Sequence, residues 1–178
     1  MVGKMEFQVE DSLKILEQTP ATLTSLLKDL PGKFITQNEG GDSWSPNDVV
    51  GHLVHGEEAD WINRVKFILE YGTSQPFQHA NPSAQFEQIQ KKPLSELLDL
   101  FANLRQKNLA ALKQLNLSSE QLQIKGAHPA FKEVSISQVL SAWVVHDLNH
   151  IYQIARVIAR QYHQEVGPFK PYISILNR

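Results

Sequence analysis

Residues 143–160, WVVHDLNHIYQIARVIAR, carry the helical period on which the rest of the chain is built. Around them Leu140, Val144, Leu148, Ile151, Ala155 and Ile158 recur at steps of three and four, the spacing of one apolar helix face. Ser135 suits the N-cap of this helix and Gln138 completes a capping box; the helix is expected to reach about Tyr162. His146 and His150 share a stripe with Trp143 and Val157 beside that apolar face. Four residues on a helix differ by about 40° and about 6 Å, so both imidazoles can reach one point beside it. The pair suits a borderline cation such as zinc, nickel, iron(II) or cobalt. It suits equally two histidines hydrogen-bonded within a packed core, where an unpaired imidazole would be costly.

Three further segments have the same period. From Phe7 to about Leu30, Val9, Leu13, Leu16, Leu23, Leu26, Leu27 and Leu30 mark a helix, with a kink or restart expected at Thr19-Pro20 and an end at Pro31-Gly32. In SWSPNDVVGHL, residues 43–53, Ser45 fits an N-cap, Pro46 the first helical position and Asp48 the third; that helix is expected to run to about Tyr71. A third opens at Pro93 and carries Leu94, Leu97, Leu98, Phe101, Leu104, Leu109, Leu112 and Leu115. The links 72–92 and 116–134 exceed the roughly 2–8 residues usual between bundle helices. The expected fold is all-α, a four-helix bundle with long crossover connections, in a single domain over residues 1–178. A short strand within a connection is compatible with it.

Composition excludes several classes of function. The net charge of -2 argues against a large basic face for nucleic acid. With no cysteine there is neither a thiolate nucleophile nor a thiolate metal site, and a reducing compartment fits. MVGKMEFQVEDSLK has no apolar signal core, and no run of about 18 apolar residues could span a membrane. A soluble, cytoplasmic protein is expected. There is no HExxH helix, GxSxG elbow, phosphate-binding glycine loop or Glu-x-x-His pair.

The second helix adds His52, next to Gly51, and His55 one turn on. His52, His146 and His150 together could bind a metal and leave positions open for water and substrate, as a catalytic site requires. His55 is a competing ligand or a catalytic group, or else a partly exposed histidine bonded to Glu58 or Asp60. Glu58 is the other catalytic candidate, although Glu57, Glu58 and Asp60 read together as a solvated helix face. Asp147 points about 100° from His146 and is expected to pair at the surface or between helices. Gln153 can reach the pocket, and His128, in the loop GAHPAF, suits a structural bond to backbone, the alternative being a cap over the pocket. His79 and His163 read as solvent-facing. Trp44, Trp61 and Trp143 read as core or pocket walls.

Three ordered motifs resemble a known family. WSPNDVVGHL, HPAFKEVSISQVLSAWVVHDLNHIYQI (128–154) and VGPFKPYISIL (166–176) resemble the DinB-like superfamily, metal-dependent hydrolases related to the bacillithiol and mycothiol S-transferases. The resemblance implies a four-helix bundle with nickel or zinc held by His52, His146 and His150, and frequent homodimerisation. Asp48 stands where Glu is common, and Lys132 where the HP loop often has Gly. The expected activity uses the metal to activate water, in a hydrolase, or a low-molecular-weight thiol, in an S-transferase, toward a small electrophilic substrate. The alternative is a non-catalytic binding or interaction protein on the same bundle.

Overall fold

The computed structural model describes residues 7–77 and 92–177. In chain order it contains α1 (Val9–Leu27), α2 (Gly32–Thr36), α3 (Pro46–Ala59), α4 (Trp61–Tyr71), α5 (Leu94–Leu115) and α6 (Ser119–Leu122). A hairpin of β1 (Lys125–His128) and β2 (Lys132–Ser135) follows, then α7 (Ile136–Arg160) and two 3₁₀ turns, Gly167–Tyr172 and Ser174–Leu176.

The bundle is made by α1, the α3–α4 pair, α5 and α7. Helix α5 packs on α1 and α3, while α7 packs on α1, α3 and α4. Thus α1 lies diagonal to α3, and α5 diagonal to α7. The link 116–135 crosses the bundle, as its length suggested. The other crossing is made by residues 28–45, which include α2. These two diagonal steps give the crossover topology.

Local signals set the ends of α3 and α7. Ser45 Oγ accepts from the Asp48 N–H, and Asp48 returns the bond to the Ser45 N–H at 2.9 Å. Ser135 and Gln138 make the same reciprocal box. Each fixes where its helix begins, and therefore the phase of the histidines that follow.

Two expectations about helices are corrected. The second predicted helix is broken at Asp60 (φ -118°, ψ -87°), giving α3 and α4. The break folds Trp61 back over Gly56, where an added Cβ would stand 3.2 Å from the indole Nε1, and stacks it on Trp143. Helix α1, by contrast, runs through Pro20 without the restart that was one of the two alternatives there, and it stops at Leu27 rather than about Leu30. Proline at position 20 has no N–H for the Leu16 carbonyl. Arg105 Nη1 supplies the missing bond at 2.9 Å from α5, so tertiary contact sustains a helix that local chemistry would interrupt.

The stripe read on α7 is also corrected. Leu148 is exposed, and the buried line is Ile136, Leu140, Trp143, Asp147, His150, Ile154 and Val157. Below Asp147 and His150 lies one apolar cluster with Leu16, Val65, Ile68, Leu112 and Ile136; above lies another with Leu23, Val50, Leu53, Leu97 and Ile154. A polar layer therefore separates two apolar ones.

The hairpin pairs Gly126 with Val134 and His128 with Lys132. His128 Nδ1 accepts the N–H groups of Ala130 and Phe131, at 3.0 and 3.2 Å, the structural role expected of it. Lys132 adopts φ 64°, so a side-chain-bearing residue occupies a left-handed position that suits glycine. Gly126 lies directly on α4. A Cβ there would overlap Ile68 Cγ1 and crowd Phe77 Cε1 at 3.1 Å. Gly126→Ala is expected to lower stability by about 1–3 kcal/mol through overpacking, measurable by urea denaturation. An unchanged midpoint would mean that the hairpin sits more loosely on α4.

Candidate metal centre

Helix α3 brings His52 to the bundle interior, and α7 brings His146 and His150 to the same place. The Nε2 atoms of His52 and His146 are 3.0 Å apart, and those of His146 and His150 are 3.1 Å apart. The ligand atoms of all three lie within 4.8 Å of one another. Trp44 packs on His52, with centroids 4.8 Å apart, and stacks on His150 at 6.3 Å. Trp61 meets His146 edge-on at 5.0 Å. The expectation that Trp44 and Trp61 wall the pocket is met.

The protonation chemistry favours neutral rings. Burial pushes His52 down to about 4, with the charges of His150 and His55 adding to the effect. Burial takes His146 lower, to about 3, and His150 and His52 add to it. His150 is also lowered by burial, against an opposing hydrogen bond to Gln153 and the charge of Asp147. Gln153 Oε1 lies 2.8 Å from His150 Nδ1, the pocket contact anticipated for Gln153. That oxygen only accepts, so His150 Nδ1 carries the proton and its Nε2 presents a lone pair.

Three neutral Nε2 atoms at these distances do not satisfy one another. Protons can bridge neighbouring pairs, but one hydrogen cannot serve three acceptors. A cation can, because metal–imidazole distances are about 2.0–2.1 Å and one ion can touch atoms this close together. The donor set thus fits a divalent transition metal.

The two catalytic candidates separate. Glu58 is exposed on the outer side of α3. His55 is buried rather than partly exposed, and its Nδ1 has no hydrogen-bond partner among the described residues. His163 is not simply solvent-facing, since Lys170 Nζ lies 3.2 Å from its Nδ1. His79 lies outside the described residues.

Behind the histidines lies a buried ionic cluster that the sequence reading missed. Arg105 Nη1 donates to Asp147 Oδ2 at 2.6 Å, and Nη2 donates to Asp147 Oδ1 at 3.0 Å and Glu57 Oε1 at 2.9 Å. Trp143 Nε1 donates to Glu57 Oε1, and Asn108 Nδ2 to Glu57 Oε2 and its carbonyl. With the Leu16 carbonyl, the network joins α1, α3, α5 and α7. Glu57 is 2% exposed and Asp147 0% exposed, so Glu57 is no part of a solvated face. Asp147 pairs between helices, the second of the two options above. Burial works against the Arg105 charge, but the hydrogen bonds and charges of Asp147 and Glu57 outweigh it and raise its pKa. A signal existed: Phe101, Arg105, Asn108 and Leu112 follow helical steps, placing a cation on the apolar face of α5.

A crossed helical bundle with three inward imidazoles from two helices defines the class of this chain. It belongs to the DinB superfamily, whose family model matches residues 15–154. Among solved structures it is similar to YfiT from Bacillus subtilis, described as "a probable metal-dependent hydrolase with an unusual four-helix bundle topology". That match has a TM-score of 0.76 and 21% identity over 90% of this chain and 91% of the other. It is also similar to a mycothiol-dependent maleylpyruvate isomerase, with a TM-score of 0.59 and 12% identity. That second match covers 83% of this chain and 60% of the other. At such identities the likeness concerns the fold. No curated protein matches the chain by sequence. Among the described residues, no helix is long and apolar enough to cross a membrane.

Proposed function

We propose that His52, His146 and His150 hold a divalent transition metal, nickel or zinc, and that the protein is a cytoplasmic enzyme acting on a small electrophilic substrate. The observation that carries this reading is the meeting of three neutral Nε2 atoms, with separations of 3.0 and 3.1 Å, inside a bundle. Imidazole suits both metals. When bound, such an ion supplies Lewis-acid activation of a water or thiol nucleophile near neutral pH.

The chain's own residues do the rest. Gln153 fixes the tautomer of His150, and Trp44 and Trp61 hold the rings while narrowing the approach of water. His55 is the better placed of the proton-transfer candidates, being buried near His52 with an unpartnered Nδ1; Glu58 faces away. A thiol nucleophile has to come from a cosubstrate, because the chain contains no cysteine. The two structural neighbours, one a probable metal-dependent hydrolase and one a mycothiol-dependent isomerase, support water and thiol respectively.

The test is turnover by nickel- or zinc-loaded protein. p-Nitrophenyl acetate would report hydrolysis, and monobromobimane with cysteine would report thiol transfer. Metal-dependent turnover of one substrate, reduced at least about 100-fold in His150→Ala, is expected for loss of a group that holds the reacting centre. Equal rates with and without metal would contradict the proposal.

A further inference from the structure

An apolar recess walled by Trp61, whose ring also meets His146, lies between α4, the start of α7 and the hairpin. Its walls include Trp61, Phe77, Phe131, Val134, Val139 and Ala142, and its volume is about 140 Å³. A dry apolar cavity of about 150 Å³ in another protein accepts benzene, so this space is the size of one ring or a short branched chain. Phe131 forms the rim and is 71% exposed, although it stacks on His128 at 4.4 Å. His128 in turn meets Phe77 edge-on at 5.3 Å. The result is a cup of aromatic faces and edges.

Several polar groups around the cup are held by the protein itself. Arg64 pairs with Asp60, and its guanidinium lies over the rings of Trp61 and Phe77, at 5.8 and 5.7 Å. His128 Nδ1 accepts two backbone N–H groups, and Gln138 Oε1 accepts the Ser135 N–H. A cationic ligand would meet the like charge of Arg64, and an anionic one would lose hydration and compete with Asp60 for that guanidinium. An uncharged apolar group gains aromatic contact and loses little.

Position gives the recess its meaning. Trp61 is a wall of the recess and also the ring that meets His146 edge-on at 5.0 Å. Ala142 stands one turn before His146 on the same helix. We infer that the recess is a specificity subsite that takes an uncharged, ring-sized apolar portion of the substrate while the reacting group lies at the histidines. The assignment of substrate class rests on the metal-enzyme reading above; occupation of the recess does not.

The experiment follows fluorobenzene by ¹⁹F NMR with zinc-loaded protein, its metal content measured separately. Saturable binding is expected. Ala142→Phe, which fills the recess from an exposed helix position, should weaken it at least about tenfold with metal content and helicity unchanged. Phe131→Ala should weaken it several-fold, and 4-fluorobenzoate should bind at least about tenfold more weakly than fluorobenzene. In cobalt(II)-loaded protein the bound fluorine should relax faster than in the zinc form, reporting a nearby paramagnetic centre. Non-saturable binding, wild-type affinity in Ala142→Phe, or equal binding of 4-fluorobenzoate would overturn the subsite. Bound probe with no relaxation enhancement in stoichiometric cobalt protein would overturn its link to the histidines. Failure to take up zinc or cobalt would instead overturn the metal reading, and the fluorobenzene titration would still decide the recess.

Discussion

Arg105→Met is expected to destabilise the protein by about 3–5 kcal/mol, because it leaves Glu57 and Asp147 buried without their cation. The methionine keeps much of the apolar stem, so the loss reports the charge and its hydrogen bonds rather than a large void. The guanidinium binds both carboxylates and the Leu16 carbonyl exposed by Pro20, so its removal weakens all four bundle helices together. Against a typical stability of about 5–15 kcal/mol, such a loss is a substantial part of the whole. Adding Glu57→Gln and Asp147→Asn to Arg105→Met removes the uncompensated charges and should recover part of the loss. Urea denaturation of the single and triple variants measures both effects. A loss below about 1 kcal/mol in Arg105→Met would mean that the cluster is hydrated and does not hold the helices.

The second large effect is on pH and metal together. In the metal-free protein His52 is held down to about 4 and His146 to about 3, against an ordinary 6.5. As pH falls below about 6.5, the unfolded chain takes up protons that the folded chain refuses. Stability is therefore fully present above that pH and is lost as pH falls toward 4, by about 1.4 kcal/mol per unit for each such histidine. Below the folded values both states are charged and the dependence from these groups levels off. His146 touches both other imidazoles, so His146→Ala should abolish stoichiometric metal binding. It should also remove about one histidine's share of the slope between pH 6.5 and pH 5. Urea midpoints of both metal-free proteins across that range test this. Identical slopes would show that His146 is charged in the folded protein, and the neutral-imidazole account would fail.

Features set within a few residues were legible before the structure. Ser45 with Asp48 and Ser135 with Gln138 act across three residues, and they start α3 and α7 where expected. The i, i+4 pair of His146 and His150 needs only the helical period, and His52 needed only the inference that α3 packs on α7. What was missed depends on partners far along the chain. Pro20 sits quietly in α1 because Arg105, 89 residues from Leu16, takes the carbonyl it frees. Glu57 looked solvated beside Glu58 and Asp60, yet its cation lies 48 residues away and its indole donor 86. Placing Leu148 inside followed from favouring apolar side chains. The structure gives that phase of α7 to Asp147, whose burial is sustained only by Arg105. The break at Asp60 carries no proline, and it becomes intelligible only once Trp61 is seen lying over Gly56 and against Trp143.

The central claim is that three histidines form one metal centre, and metal content tests it most directly. Elemental mass spectrometry would be run on tag-free protein as purified and after reconstitution with nickel or zinc, beside His52→Ala of equal helicity. About one transition metal per chain in the wild type, with little in His52→Ala, is the predicted result. A wild type that takes up no metal, or a His52→Ala protein that keeps its full complement, would contradict the account.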